Sequence, residues 1–124
     1  MQKKKILVID DDPGFSQMIT DYFTSQKYEI FSANNLEEAV SIFNQQRPAV
    51  VLLDYSMPVL NGEKVLPLLQ SLDPSIQVIV VSGFTEQEVE EKFKGLGYFA
   101  SFRKGGLSLE ALKNRVDKAF EAAP

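Results

Sequence analysis

Residues 50–54 read Val-Val-Leu-Leu-Asp, four aliphatic residues followed directly by an acid. An uninterrupted aliphatic run of this length is typical of a parallel strand that is buried on both faces. A second run of the same kind, Val78-Ile79-Val80-Val81, lies further along the chain. Both runs indicate central strands of a parallel sheet, so the segments around them should contain the crossover helices that parallel strands need.

Short aliphatic or β-branched segments do alternate with longer segments of helical spacing. We predict strands at Lys5–Ile9, Glu29–Ala33, Ala49–Leu53, Gln77–Val81 and Tyr98–Phe102, and helices at Phe15–Gln26, Leu36–Gln46, Gly62–Gln70, Glu86–Lys94 and Leu109–Ala122. Thr85, Ser108 and either Asn34 or Asn35 are the expected N-caps, while Pro67 interrupts the third helical pattern. Five β/α units in succession predict an α/β fold, a five-stranded parallel sheet with helices on both faces.

The composition narrows the possible functions. The chain has 124 residues, 44% of them hydrophobic and 24% charged, which predicts one domain over residues 1–124. It contains neither cysteine nor histidine, so disulfides, thiol or histidine nucleophiles and the usual zinc ligands are excluded. A net charge of -4, with no basic cluster beyond the N-terminus, disfavours direct nucleic-acid binding.

Membrane and secretion signals are not found in the sequence. No apolar run approaches the roughly 18 residues that a membrane span needs. Lys3, Lys4 and Lys5 are followed by only four apolar residues before the first acid, which is too short for a signal peptide. We therefore expect a cytoplasmic protein.

Polar side chains follow four of the predicted strands. Asp10-Asp11-Asp12-Pro13 follows the first strand, Asp54 the third and Ser82 the fourth, while Lys104 comes two residues after the fifth. Asp12 is the expected cap of the next helix, with Pro13 at its first position. In a parallel sheet the carboxyl ends of the strands meet at one edge, where ligands bind. The other side chains should therefore converge there.

These side chains have the composition of a phosphoryl-transfer site. Asp10, Asp11 and Asp54 carry three negative charges and Lys104 one positive charge, so a divalent cation would neutralise the set. Carboxylate and water oxygens favour Mg²⁺ over softer metals. We predict Asp54 as the nucleophile that attacks phosphorus, with Lys104 and Ser82 stabilising the phosphoryl oxygens.

The chain resembles the receiver domain of response regulators in two-component signal transduction over essentially its whole length. Residues 5–13 resemble the first strand and acidic pair of that family, and Asp54-Tyr55-Ser56-Met57-Pro58-Val59-Leu60-Asn61-Gly62 matches its phosphoacceptor motif D-x-x-M-P-x-x-N-G. Ser82 and Lys104 fall at the family's hydroxyl and lysine positions. The resemblance implies a flavodoxin-like (βα)5 fold with strand order 2-1-3-4-5.

The resemblance also implies a function and its partners. A histidine kinase or histidine phosphotransferase would donate a phosphoryl group from phosphohistidine to Asp54. Asp10, Asp11, Asp54 and the backbone carbonyl of Ser56 would hold Mg²⁺. Such signalling domains catalyse their own phosphorylation and slow dephosphorylation, are not metabolic enzymes, and act in a phosphorelay by switching the face formed by the fourth helix, fifth strand and fifth helix. The kinase and the downstream target are not specified by the sequence.

The chain departs from the family pattern at two places. Gly105 stands where the family usually has proline after its lysine, so we expect a freer loop there. Ser101 stands where the family usually has an aromatic residue, and Phe102 cannot replace it because neighbours on a strand face opposite sides. We further hypothesise that Phe84 shields an acyl phosphate at Asp54 from water.

Other interpretations remain open. A receiver fold that acts as a phosphorylation-independent interaction module would fit the departures at Ser101 and Gly105. A small haloacid-dehalogenase-like phosphatase would also use strand-end Asp, hydroxyl, Lys and Mg²⁺, but the only acids after Lys104 are Glu110, Asp117 and Glu121 in the last predicted helix. Residues 82–88, followed by Phe93 and residues 95–97, are similar to receivers of hybrid sensor kinases, so we expect either such a module or a single-domain regulator.

Overall fold

The computed structural model describes residues 4–54 and 62–123, in which five strands alternate with five helices. In chain order the elements are β1 (Lys5–Ile9), α1 (Pro13–Ser25), β2 (Glu29–Ala33), α2 (Leu36–Gln46), β3 (Val50–Asp54), α3 (Gly62–Leu72), β4 (Gln77–Ser82), α4 (Glu86–Lys92), β5 (Ala100–Arg103) and α5 (Leu109–Ala122). Every strand pair is parallel and the sheet order is β2-β1-β3-β4-β5. The predicted fold class and strand order are confirmed.

Alternate residues of the central strands build two cores, one on each face of the sheet. Leu7 of β1 packs with residues of α2, α3 and α4. Its neighbours Ile6 and Val8 pack on the other face with residues of α1 and α5. Because β1 and β3 are covered on both faces, their side chains are buried without alternation, as their aliphatic sequences predict.

Four helices, α1, α2, α4 and α5, begin at the predicted caps. Asp12 Oδ1 accepts hydrogen bonds from the backbone N–H groups of Gly14 and Phe15, with Pro13 at the first helical position of α1. Asn35, rather than Asn34, caps α2. Thr85 caps α4 in a reciprocal capping box with Glu88, and Ser108 caps α5.

Helix α3 runs through Pro67 and ends at Leu72, two residues beyond the predicted end. Proline inside a helix removes one backbone hydrogen bond and costs about 3 kcal/mol. The opposite, inward side of α3 buries Val65, Leu66 and Leu69 in the core. Burying such side chains stabilises by about 1.5–3 kcal/mol each, so tertiary packing outweighs the local cost of proline.

The segment between α4 and β5 is longer than predicted, because α4 ends at Lys92 and β5 begins at Ala100. Gly95 and Gly97 in this segment have φ angles of 81° and 72°. Neither a helix nor a strand contains such left-handed residues, so both elements stop short of these glycines.

Candidate functional site

Three strands of the sheet and the loop after β5 bring polar residues to the carboxyl edge, defined here as Asp10, Asp11, Asp54, Ser82 and Lys104. Asp54 is the last residue of β3 and Ser82 the last residue of β4, so both strands extend one residue beyond the predicted ends. Asp10 follows β1 directly and Lys104 follows β5 directly. The parallel topology therefore places residues that are far apart in sequence side by side.

The three aspartates form a compact acidic cluster. One carboxylate oxygen from each of Asp10, Asp11 and Asp54 lies within 4.8 Å of the other two. Asp10 and Asp54 are buried, with 3% and 2% of their surface exposed, whereas Asp11 is exposed. Like charges at this separation raise each other's free energy unless a cation compensates.

Lys104 supplies part of that compensation. Its Nζ lies 3.1 Å from Asp10 Oδ2 and 3.2 Å from Asp54 Oδ2, and it donates a hydrogen bond to Asp54. The lysine backbone is also anchored, because its N–H donates to the carbonyl of Ser82 at 2.7 Å. A single ammonium thus bridges the two buried carboxylates across β1, β3 and β5.

The environment of the cluster raises the pKa of two of these groups, Asp10 and Lys104. Burial, together with the hydrogen bond and the charge from Asp54, raises the pKa of Asp10 to about 6. Burial alone would lower the pKa of Lys104, but its contacts with Asp10 and Asp54 outweigh this and raise the pKa. Lys104 therefore stays charged beside a carboxylate that titrates in a weakly acidic range.

The donor set fits a hard divalent cation. Asp10 Oδ1 accepts a hydrogen bond from the backbone N–H of Asp12 at 2.8 Å, which orients the carboxylate. Its Oδ2 atom is buried and receives no well-directed hydrogen bond within the described part of the chain, although Lys104 lies nearby. An oxygen-rich cluster of three carboxylates that shares a single ammonium could hold a hard divalent cation such as Mg²⁺.

Of the two remaining predicted site residues, the structure describes Ser82 but not Ser56. Ser82 is fully buried, and its hydroxyl accepts a hydrogen bond from the backbone N–H of Phe84 at 3.1 Å. It lies at the same edge, on the strand next to β3. Ser56 and the rest of the motif up to Asn61 lie outside the described residues, so its carbonyl as a metal ligand stays a prediction.

The acids after Lys104 lie on α5. Asp117 pairs with Lys113 on the same helix at 3.0 Å, while Glu110 and Glu121 are exposed. None of the three belongs to the acidic cluster found among the described residues. The second acidic pair that a haloacid-dehalogenase-like phosphatase requires is therefore not supplied from this helix.

Strand β5 places Ser101 and Phe102 on opposite faces of the sheet. Ser101 pairs with Val80, whose side chain faces α3 and α4, whereas Phe102 packs on the side of α1 and α5. The expectation that Phe102 does not replace an aromatic residue at position 101 is confirmed. Tyr98, which precedes β5, lies on the α4 side, and its ring packs edge-on against Phe93 at 5.8 Å.

One contact of the site was missed in the sequence. The ring of Phe15 lies with its centroid 4.4 Å from Lys104 Nζ. The sequence pattern predicts Phe15 only as the first residue of the first helix. Its place in the first turn after the acidic run was the available signal, because that turn begins at the carboxyl edge.

The comparisons with known proteins agree with this arrangement. The family model of the response regulator receiver domain matches residues 6–117. The chain belongs to the response regulator receiver domain family. This receiver domain is also 30% identical over 118 residues to sporulation initiation phosphotransferase F of Bacillus subtilis, a match that covers 95% of this chain and 94% of that protein.

Two further relatives show the range of contexts. The chain is 34% identical to a protein-glutamate methylesterase/protein-glutamine glutaminase of Bacillus licheniformis, a match that covers 95% of this chain but only 35% of that protein. A response regulator receiver domain protein from Clostridium thermocellum superposes with a TM-score of 0.84 at 27% identity, covering 94% of both chains. Receiver domains therefore occur both nearly alone and as parts of longer proteins.

Membership of the family gives the receiver domain a general role. It is a phosphoacceptor domain of two-component systems. Members of its family interact with histidine kinases or phosphotransferases. In the described part of the chain, no helix has the length and apolar character needed to cross a membrane.

Proposed function

We propose that this receiver domain, residues 1–124, takes a phosphoryl group from a partner phosphohistidine onto the carboxylate of Asp54 in a Mg²⁺-dependent reaction. The observation that carries the proposal is the bridging of Asp10 and Asp54 by the Lys104 ammonium within the acidic cluster. This geometry supports a nucleophilic carboxylate with its charge partner already in place.

Each residue of the carboxyl edge has a role in this proposal. An oxygen of Asp54 forms a bond to phosphorus while the bond from phosphorus to the donor nitrogen breaks, and the electron pair leaves with the imidazole. Lys104 keeps its protons and shields the phosphoryl oxygens, and Ser82 donates its hydroxyl hydrogen to one of them.

Asp10, Asp11 and Asp54, with the Ser56 carbonyl, would hold the cation. Bound Mg²⁺ supplies charge neutralisation at the phosphoryl oxygens. The charge of the cluster must be compensated, since two of its carboxylates are nearly inaccessible to water and share the single ammonium of Lys104. This need supports a metal-dependent reaction.

The phosphoryl group would then switch the face formed by α4, β5 and α5. A phosphoryl group at Asp54 can shift the equilibrium between two conformations only through contacts that differ between them. The hydrogen bond from Lys104 N–H to Ser82 O couples the loop after β5 to the end of β4. The proposed location is the cytoplasm, and the net charge of -4 supports a receiver domain that makes no direct contact with nucleic acid.

The test is incubation with acetyl phosphate, with Mg²⁺ or with a chelator, followed by intact-mass measurement. We expect one added phosphoryl group on the wild type with Mg²⁺, and none with chelator or in Asp54→Asn. Asp21→Asn is the matched control, because Asp21 is an exposed aspartate of α1 that accepts only a hydrogen bond from Gln17 in the described contacts.

The opposite result would favour the interaction module. If the wild type gains no phosphoryl group from acetyl phosphate in Mg²⁺, the phosphoacceptor role of Asp54 is wrong for this chain. Repeated turnover of a phosphomonoester without stable addition would instead indicate phosphatase activity.

A further inference from the structure

The loop after Lys104 provides little side-chain restraint for the lysine. Gly105 and Gly106 follow it, and Gly106 has a φ angle of 75°. A Cβ atom built at either glycine has no neighbour within 4 Å, so the loop does not pack against the body of the domain there. The Lys104 backbone is held through its N–H, but four methylene groups separate that anchor from the ammonium.

A flexible lysine side chain loses much rotational freedom when it is held in one position. The two carboxylates attract the ammonium from the β1 and β3 side, at 3.1 and 3.2 Å. Their attraction for the ammonium weakens once their charge is shared with a metal cation. A further contact that does not depend on carboxylate charge would keep the ammonium in position.

Phe15 provides such a contact. Its ring centroid lies 4.4 Å from Lys104 Nζ, within the range of a cation–π interaction. The ring is half-buried and packs against the core on the α1 and α5 side, which restricts its motion.

The position of Phe15 is set by the same turn that orients the acidic cluster. Asp12 Oδ1 accepts a hydrogen bond from Phe15 N–H at 3.2 Å, and Asp12 N–H donates to Asp10 Oδ1 at 2.8 Å. Phe15 and Asp10 therefore lie on one short segment, residues 10–15, and Asp12 makes a hydrogen bond to each of them. Lys104 is the group that both of them contact.

We propose that Phe15 is a positioning residue for phosphoryl transfer, which holds the Lys104 ammonium at the acidic cluster in place of any restraint from the loop. This inference rests on the proposed function. With acetyl phosphate as donor, an oxygen of Asp54 bonds to phosphorus, the phosphorus–oxygen bond to acetate breaks, and acetate leaves with the electron pair. Lys104 remains an ammonium throughout, and Phe15 touches no reacting atom.

The experiment compares aromatic and aliphatic variants. We expect Phe15→Leu to be phosphorylated by acetyl phosphate in Mg²⁺ about fivefold more slowly than the wild type, because the contact of the ring with the cation is lost while apolar packing is kept. Phe15→Tyr and Phe15→Trp keep a ring and should restore most of the rate. Tyr22→Leu is the matched control, since Tyr22 is a half-buried aromatic residue of the same helix and the same core.

A second readout needs no phosphorylation and no metal. An aromatic ring at 4.4 Å should shift the proton NMR signals of the Lys104 ε-methylene group upfield in the metal-free wild type. The signals are assigned by their loss in Lys104→Gln. The shift should persist in Phe15→Tyr and Tyr22→Leu and disappear in Phe15→Leu.

Different failures have different meanings. An unshifted Lys104 signal in the wild type overturns the inference, and so does a Phe15→Leu rate equal to that of the wild type, or a Tyr22→Leu rate as low as that of Phe15→Leu. In each of these cases a phosphorylated wild type leaves the proposed function standing. If the wild type is not phosphorylated at all, the proposed function fails and the positioning role falls with it.

Discussion

The carboxyl edge of the sheet holds Asp10, Asp54 and Lys104 largely out of water, whereas the charged residues of the amino edge are exposed or only half-buried. The amino edge is defined here as Lys4, Lys5, Glu29, Arg47 and Phe120, which line an open depression of about 600 Å³. Both edges contain several charged residues, but of the two only the carboxyl edge has buried carboxylates.

The two edges differ in how strongly their charges interact. At the amino edge Lys5 donates a long hydrogen bond to Gln46 at 3.3 Å, and Lys4 lies 5.6 Å from the ring of Phe120. Exposed charges are screened by water and salt, so their mutual free energies are small. Burial at the carboxyl edge removes that screening, which is why the pKa of Asp10 moves there. Chemistry is therefore expected at the carboxyl edge alone.

The largest expected difference between the edges is in the phosphorylation rate. Lys104→Gln removes the ammonium that bridges Asp10 and Asp54, and we expect the initial rate with acetyl phosphate and Mg²⁺ to fall about 100-fold. Lys5→Gln removes an amino-edge charge and should leave the rate unchanged. Intact-mass time courses measure both variants. Equal rates for the two would mean that Lys104 does not stabilise the transferred group.

The second difference is in the pH dependence of stability without metal. The pKa of Asp10 is raised from 3.8 to about 6 in the folded state, so the folded state binds the proton more tightly than the unfolded state. The contribution of Asp10 is fully present below pH 4 and is lost as pH rises to about 6. The rise from 3.8 to about 6 corresponds to a total loss of about 3 kcal/mol, since one pKa unit corresponds to about 1.4 kcal/mol.

Urea unfolding in chelator at pH 4, 5 and 6 measures this effect. The free energy of unfolding of the wild type should fall relative to that of Asp10→Asn as pH rises. A constant difference between the two proteins across this range would show that Asp10 does not titrate there. Lys4→Gln is the amino-edge comparison and should run parallel to the wild type.

A smaller effect is expected for the lifetime of the phosphorylated form. Phe84 follows Ser82 by two residues and is half-buried against the core on the α4 side, with Lys92 Nζ 4.8 Å from its ring. If it shields Asp54 from water, Phe84→Ala should shorten the phosphorylated half-life about threefold, and Phe84→Leu should keep most of it. Leu96→Ala, in the same core but before β5, controls for general loosening. An unchanged half-life in Phe84→Ala would rule out shielding.

The smallest effect is expected at the amino edge itself. Lys4→Gln should change the free energy of unfolding by no more than about 0.5 kcal/mol, because Lys4 is exposed and its ring contacts lie at 5.6 and 5.9 Å. Urea titrations at low and high salt measure the change. If the free energy of unfolding fell by more than about 1 kcal/mol, the charges of the amino edge would interact as strongly as those of the carboxyl edge.

Much of the fold could be predicted from local sequence patterns. The aliphatic run of β3, the capping residues Asp12 and Thr85, and the convergence of strand ends all follow from properties that act within a few residues or from the geometry of parallel sheets. The passage of α3 through Pro67 could not be predicted in this way. Its cost is local, whereas the burial that offsets it comes from residues of other elements.

The candidate site likewise has features that local sequence predicts and features that depend on the tertiary structure. The sequence predicts which residue types lie at the strand ends, at positions 10–13, 54, 82 and 104. All strands are parallel, so each of these residues lies at the carboxyl edge. The bridging position of Lys104, the raised pKa of Asp10 and the ring of Phe15 beside the ammonium were not predicted. These depend on burial and on distances between side chains about 50 to 90 positions apart, which exist only once the sheet is assembled.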